Sequence, residues 1–133
     1  MHYIIDGSNM LNKIGLVEKF SGDVIRARKG LQDIILKLAN QGKDTFMIVF
    51  DVHSEPPDEE LYISDKLRVM FALGPKEEEP ADKMIEYLAT KDKNIQDIRI
   101  VSSDTILLTD LMFKGVKGIK TEDFLKKINC FRI

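Results

Sequence analysis

Four short apolar runs in the sequence each stop at or shortly before an acidic residue. In chain order the pairs are residues 3–5 and Asp6, residues 47–50 and Asp51, residues 69–73 with a loop leading to Asp82, and residues 98–101 and Asp104. Apolar runs without polar alternation are typical of strands covered on both faces, as in parallel sheets. The carboxyl ends of such strands share one edge, where α/β proteins bind ligands. The pattern therefore predicts four acids gathered at one edge of a sheet.

Helical patterns separate these strands. Apolar residues recur at spacings of three and four within residues 22–41, 80–91 and 105–114, and Thr121 is a candidate cap for a last helix. We also predict an edge strand at 116–119, a final strand at 130–133, a turn at 7–9, and a loop or short helix at 52–66. Alternating strands and helices predict an α/β three-layer sandwich with a central, mostly parallel sheet.

The length and composition describe an ordinary globular chain. At 133 residues, with 44% hydrophobic and 32% charged residues, we expect a single domain spanning 1–133. The single Cys130, the missing apolar leader and the short apolar runs favour a cytoplasmic protein with no membrane partner. A net charge of −2 leaves nucleic-acid binding open, because a metal cluster can absorb several acids.

The four acids suggest a metal site. Carboxylates held within a few ångströms of one another repel unless some are protonated or a cation lies among them. Hard ions such as Mg²⁺ prefer oxygen ligands, lower the pKa of bound water and neutralise phosphate charge. The cluster thus points to phosphodiester hydrolysis.

Each acid also has a purely structural interpretation. Asp82 and Asp104 could complement helix dipoles, Asp6 could brace the following turn, and Asp51 could begin a loop. The shared position at strand ends favours one common site over four coincidences.

Several polar residues are candidates around the acids. Arg28 occupies an apolar position of its helix, so it faces the sheet near Asp6, where it could brace carboxylates, grip a phosphate or extend to water. Asn9 could bond Asp6, contact substrate or only complete the turn, and the Ser103 hydroxyl could face a phosphate. His53 could reach a leaving group or a metal, or be an ordinary loop residue.

The acidic run before Pro80 is interpreted as a solvated face. Glu79 is the exception, because Pro80 and the helix start could turn its side chain towards Asp82.

Five segments in order resemble the YacP-like branch of the NYN domains, relatives of the PIN nucleases. They are residues 4–9, Arg28, residues 49–53, residues 79–82 and residues 102–104. The resemblance implies a PIN-like fold and Mg²⁺- or Mn²⁺-dependent cleavage of RNA. It implies Asp6, Asp82 and Asp104 as catalytic, metal-binding acids, with Asp51 as a fourth or outer-sphere member. Asn9 and Arg28 match supporting polar positions, whereas Ser8 stands where the family often has an aromatic residue.

The resulting hypothesis is a metal-dependent, endonucleolytic ribonuclease that uses a metal-activated water. Arg28 would steady the scissile phosphate, with Asn9, Ser103 and His53 at the substrate and ribosome-associated mRNA as one candidate RNA. The alternative is a catalytically inactive PIN-like domain that binds RNA or a protein partner. A phospho-acceptor receiver, which needs an acidic pair, and a Gly-rich nucleotide-binding loop are disfavoured by the sequence.

Overall fold

The computed structural model describes residues 1–54, 60–91 and 94–128. Its strands and helices, in chain order, are β1 (His2–Asp6), α1 (Gly7–Ile14), α2 (Leu16–Lys19), α3 (Val24–Ala39), β2 (Thr45–Val52), β3 (Glu60–Ser64), β4 (Leu67–Leu73), α4 (Pro80–Lys91), β5 (Ile98–Val101), α5 (Thr105–Phe113), β6 (Lys117–Ile119) and α6 (Thr121–Ile128). Short 3-10 helices lie at Lys76–Glu78 and Ile95–Asp97. None of the helices in these ranges combines the length and the apolar content of a membrane-spanning segment.

The six strands form one sheet in the order β3-β4-β2-β1-β5-β6. Every neighbouring pair is parallel except β3 and β4, which are antiparallel. β1 lies between β2 and β5, so the strands that lead to Asp6, Asp51 and Asp104 are adjacent. The topology thus brings their carboxyl ends together.

Apolar cores cover both faces of the sheet. Successive side chains of β1 point in opposite directions, so Ile5 packs with α1 and α3 on one face and Ile4 packs with α4 and α5 on the other. Phe124 of α6 joins the first core. The predicted three-layer α/β sandwich with a mostly parallel sheet is confirmed.

Two predicted connections are wrong. Residues 7–9 are the first turn of α1 rather than an isolated turn, because Asp6 caps a helix that begins directly after β1. Within 52–66 the chain forms β3, whose mostly half-exposed residues pair only with β4 at the sheet edge. An edge strand needs no continuous apolar run, so it lacked the signal of a buried strand. Residues 55–59 of that segment, and the strand predicted at 130–133, lie outside the described residues.

The buried stripe of α3 is rotated from the predicted one. Its buried residues are Ala27, Leu31, Ile35 and Ala39. Val24, which the pattern placed on the stripe, is 40% exposed, and Arg28 lies half-buried at the margin of the stripe. The small Ala27 carried little hydrophobic signal, although it packs fully against the sheet.

Candidate active site

Three helices begin beside the carboxyl ends of the central strands. α1 follows β1 without a loop, α5 follows β5 after three residues, and α4 begins next to the end of β2. Free N–H groups at helix starts favour nearby negative charge. Each of these helices brings one of the predicted acids: Asp6, Asp104 and Asp82.

Asp6 is buried at the junction of β1 and α1, with only 6% of the residue exposed. Its Oδ1 accepts a hydrogen bond from Asn9 N at 3.3 Å, and its Oδ2 accepts one from the Ser102 hydroxyl at 3.0 Å. Burial raises the pKa of Asp6 to about 6; the two hydrogen bonds oppose this shift, and the charges of Asp51 and Asp104 add to it. Asp6 therefore caps α1, and its carboxylate is more basic than that of an ordinary aspartate.

Asp104 caps α5. Its Oδ1 accepts hydrogen bonds from Ile106 N at 3.0 Å and Leu107 N at 3.1 Å. Its own N–H donates to the Ser102 hydroxyl, which in turn donates to Asp6. The capping role proposed for this acid is therefore present, but a carboxylate has about four acceptor positions, so capping leaves capacity for a cation.

Asp82 and Glu79 complete an acidic cluster with Asp104. One carboxylate oxygen from each of the three lies within 4.8 Å of the other two. Asp82 is half-buried, and its pKa rises to about 8, first through burial and then through a hydrogen bond with Asp104 and repulsion from Asp6, Asp104 and Glu79. We call these three residues the acidic cluster.

Glu79 has a left-handed backbone, with φ 48° and ψ 64°, directly after the 3-10 helix Lys76–Glu78. A residue other than glycine pays roughly 1–2 kcal/mol for this conformation. The sequence indicated that Glu79 could turn towards Asp82, but the predicted metal ligands were Asp6, Asp51, Asp82 and Asp104. The only local signal was the following Pro80, because the backbone conformation that directs the side chain is set by the fold.

The acidic cluster lacks a basic counterpart. In residues 1–54, 60–91 and 94–128, no ion pair involves Asp6, Glu79, Asp82 or Asp104. A group of oxygen-only donors, in which burial first and repulsion second raise the pKa of Asp82 to about 8, fits a hard divalent cation such as Mg²⁺ or Mn²⁺.

Asp51 lies beside the cluster and connects three helices. Its Oδ1 accepts from Ala81 N at 2.7 Å, its N–H donates to the Ser8 hydroxyl at 3.1 Å, and its carbonyl accepts from Arg28 Nη2 at 3.2 Å. Asp51 is near enough to raise the pKa of Asp6 but is outside the three-acid group. These contacts connect α1, α3 and α4 at the edge of the acidic cluster. Direct or outer-sphere metal binding by Asp51 stays a prediction.

Arg28 contacts Asp51 and not the Asp6 carboxylate near which it was expected. Its guanidinium carbon lies 5.6 Å from the centre of the Phe50 ring and 6.0 Å from that of Phe71. Burial lowers the pKa of Arg28, while the charge of Asp51 acts in the opposite direction. The rotation of α3 explains the difference, because it places Arg28 above the β2 side of the edge.

Asn9 and Ser103 take part in hydrogen bonds within the protein. The Asn9 Oδ1 accepts from Ser103 N at 3.0 Å and from the Thr121 hydroxyl at 2.8 Å. The Ser103 hydroxyl donates to Glu122, which also pairs with Lys13 at 3.2 Å. The substrate contacts predicted for Asn9 and Ser103 stay predictions.

Thr121 was expected to cap α6, and this expectation is wrong. Thr121 is the first helical residue, and the Lys120 carbonyl accepts the first helical hydrogen bond, from Phe124 N. The Thr121 hydroxyl instead bonds Asn9. Its contribution to the site could not be read from its neighbours in sequence.

His53 is exposed beyond the end of β2. Its Nδ1 lies 2.9 Å from the Gly74 carbonyl oxygen, and because a carbonyl can only accept, Nδ1 carries the hydrogen. Nε2 is left to face other groups, so a substrate contact from His53 is compatible with this geometry and stays a prediction.

A sequence-family comparison and a structure comparison relate this chain to the same group of proteins. The sequence profile of the family described as YacP-like NYN domain matches residues 3–132. A crystal structure of Rae1 (YacP) from Bacillus subtilis is similar with a TM-score of 0.73 at 22% identity, covering 97% of this chain and 74% of that chain. A point mutant of the same Bacillus protein gives a TM-score of 0.71 at 23% identity, covering 96% and 74%. No curated protein matches.

Proposed function

Because the chain belongs to the YacP-like NYN domains and has their nuclease-type fold, we propose that it is a metal-dependent ribonuclease. In this proposal it hydrolyses RNA phosphodiester bonds endonucleolytically. The observation that carries the proposal is the acidic cluster, whose three carboxylates approach within 4.8 Å without a basic partner in the described ranges.

The residues that would hold Mg²⁺ or Mn²⁺ are Glu79, Asp82 and Asp104. Asp6 and Asp51 lie outside this group; Asp6 is close enough to raise the pKa of Asp82, and Asp51 is close enough to raise that of Asp6. Such a cation supplies charge neutralisation at the phosphate and a more acidic water. The chain contributes a rigid frame, because Asp6 and Asp104 each cap a helix and share the buried Ser102 hydroxyl.

The remaining groups support substrate orientation. Arg28 places a fixed positive charge on the β2 side of the acids, where its fork suits a phosphate oxygen. His53 and Lys76 lie on the same side of the site as Arg28. Arg28 and Lys76 would thus contact the negatively charged RNA backbone directly, whereas the acids would contact it through the bound cation.

A cleavage assay tests the proposal. Short single-stranded and hairpin RNAs, labelled at either end, are incubated with purified protein in Mg²⁺, Mn²⁺ or EDTA. We expect internal cuts that require the cation and that fall by more than about 100-fold in Asp104→Asn. Asparagine also caps helices well, so this variant removes charge with little loss of the cap.

The matched control is Glu77→Gln, which removes an acid from the exposed run next to the cluster. It should cleave like the wild type. Equal cleavage by wild type and by the Asp6→Asn/Asp104→Asn double variant would assign the activity to a contaminant. RNA binding without cleavage under every metal condition would replace the proposal with a non-cutting RNA-binding domain.

A further inference from the structure

An open cavity of about 620 Å³ adjoins the acidic cluster. It lies between α1, α3 and the end of β2, and it shares Glu79 and Asp51 with the site described above. Its volume falls within the range of small-ligand sites, roughly 300–1,000 Å³. A ligand bound in this cavity would therefore lie next to a cation bound by the acidic cluster.

One wall of the cavity is apolar. It is formed by Leu11 of α1, Val17 of α2 and Val24 of α3. Val24 is 40% exposed, so its side chain is accessible to a group bound in the cavity. A flat apolar group could cover this surface.

The lining of the cavity also includes three groups that can donate hydrogen bonds: Arg28, His53 and Lys76. The Arg28 guanidinium packs on Phe50 and donates one hydrogen bond to the Asp51 carbonyl, so its other terminal N–H donors have no protein partner in the part of the chain that the structure describes, whereas its Nε is buried. His53 keeps Nε2 available, and Lys76 forms no ion pair within the described ranges. These groups suit a phosphate.

We propose that this cavity binds one unpaired nucleotide of the RNA, adjacent to the scissile phosphate. The inference rests on the proposed ribonuclease function and specifies its substrate class. The base packs on Leu11, Val17 and Val24, and its phosphate faces Arg28, His53 and Lys76. Unpaired bases stack on aromatic side chains and guanidinium planes, and in base-flipping enzymes they also pack against apolar side chains; their faces are accessible only outside a duplex. Because Glu79 lines both the cavity and the acidic cluster, the next phosphodiester would lie beside the cluster.

The binding test uses a nucleoside 5′-monophosphate as probe, in EDTA, so that it is independent of hydrolysis. Two variants fill the cavity from different helices: Val24→Trp from α3 and Asn12→Trp from α1. We expect the nucleotide to perturb the NMR signals of cavity residues in the wild type and its affinity to fall at least tenfold in both variants. Ile25→Trp is the control, because Ile25 is 75% exposed on α3 and does not line the cavity.

The outcomes separate the two proposals. Nucleotide binding that both filling variants abolish, in a protein that cuts no RNA, supports the binding site and overturns the ribonuclease. Metal-dependent cleavage that both folded variants retain at wild-type rate overturns the nucleotide site and leaves the ribonuclease standing. Nucleotide shifts confined to another surface, or equal cleavage of a perfect duplex and its single strand, also overturn the inference.

Discussion

The Thr121 hydroxyl donates a 2.8 Å hydrogen bond to Oδ1 of Asn9, across 112 residues of sequence. The same oxygen accepts from Ser103 N at 3.0 Å. One amide oxygen thereby connects α1, the turn before α5 and the start of α6. Because Asn9 N also bonds Asp6, and Ser103 immediately precedes Asp104, this contact fixes the relative position of two acids of the site.

Thr121→Val should weaken this connection. The hydroxyl is fully buried, and its loss removes one of two donors to Asn9 Oδ1, so we expect the free energy of unfolding to fall by about 1 kcal/mol. Urea unfolding measures this change, and the apparent Mn²⁺ affinity should fall as well. Thr109→Val, at an exposed position of α5, is the control. Identical unfolding midpoints for both variants would show that the contact contributes nothing.

Gly7→Ala should destabilise the junction of β1 and α1. A Cβ built on Gly7 lies 2.6 Å from Phe50 Cε1 and 2.7 Å from Ile48 Cγ2, both in fully buried side chains. Overpacking of this kind costs about 1–3 kcal/mol, and it would move the helix that Asp6 caps. Thermal unfolding measures the loss. Gly42→Ala meets no atom within 4 Å and should leave the melting temperature close to that of wild type.

Asp82→Asn should stabilise the metal-free protein at high pH. The folded-state pKa of Asp82 is about 8, against an ordinary value of 3.8, so its favourable contribution is complete below pH 4 and is lost as the pH rises to about 8. Asparagine removes this loss. In EDTA, we expect the variant's advantage in unfolding free energy to grow between pH 5 and pH 9, reaching roughly 1 kcal/mol after allowance for solvent screening.

The control for this comparison is Asp110→Asn, which removes the same charge from an exposed position of α5. Its difference in unfolding free energy from wild type is measured at the same pH values. A pH-independent difference for Asp82→Asn would contradict the electrostatic account of the acidic cluster.

Divalent cations should stabilise the wild type through Glu79. Saturating the site at a hundred times its dissociation constant adds about 2.7 kcal/mol, which a Mn²⁺ titration detects as a rise in melting temperature. Glu79→Gln removes one of three carboxylates within 4.8 Å and should shift the titration to at least tenfold higher Mn²⁺. Glu77→Gln should follow the wild-type curve. Overlapping curves for all three proteins would place the cation elsewhere.

Much of the fold follows from local pattern. The residues of β1, β2, β4 and β5 are apolar runs of strand length, and α3, α4 and α5 have helical periodicity, so element types and the layered architecture were predictable. The sequence also indicated that Asp6, Asp82 and Asp104 would approach one edge, because each lies just beyond a strand or at the start of a helix. These properties depend on a few neighbouring residues.

Other features depend on distant contacts. The edge strand β3 forms because β4 offers a partner, and its own residues carry no strong strand signal. The rotation of α3 that directs Arg28 to the Asp51 carbonyl depends on how Ala27 packs against the sheet. No periodicity in the sequence contains that information.

Local pattern was therefore enough to predict that acids would follow the central strands, since hydrophobic periodicity and strand ends are local properties. It did not predict that Glu79, with its left-handed backbone, would join Asp82 and Asp104, or that Thr121 would donate a hydrogen bond to Asn9; both depend on the folded arrangement. Side-chain direction and hydrogen bonds between distant segments are set only when helices pack on both faces of the sheet. That packing fixes the direction in which each carboxylate side chain points.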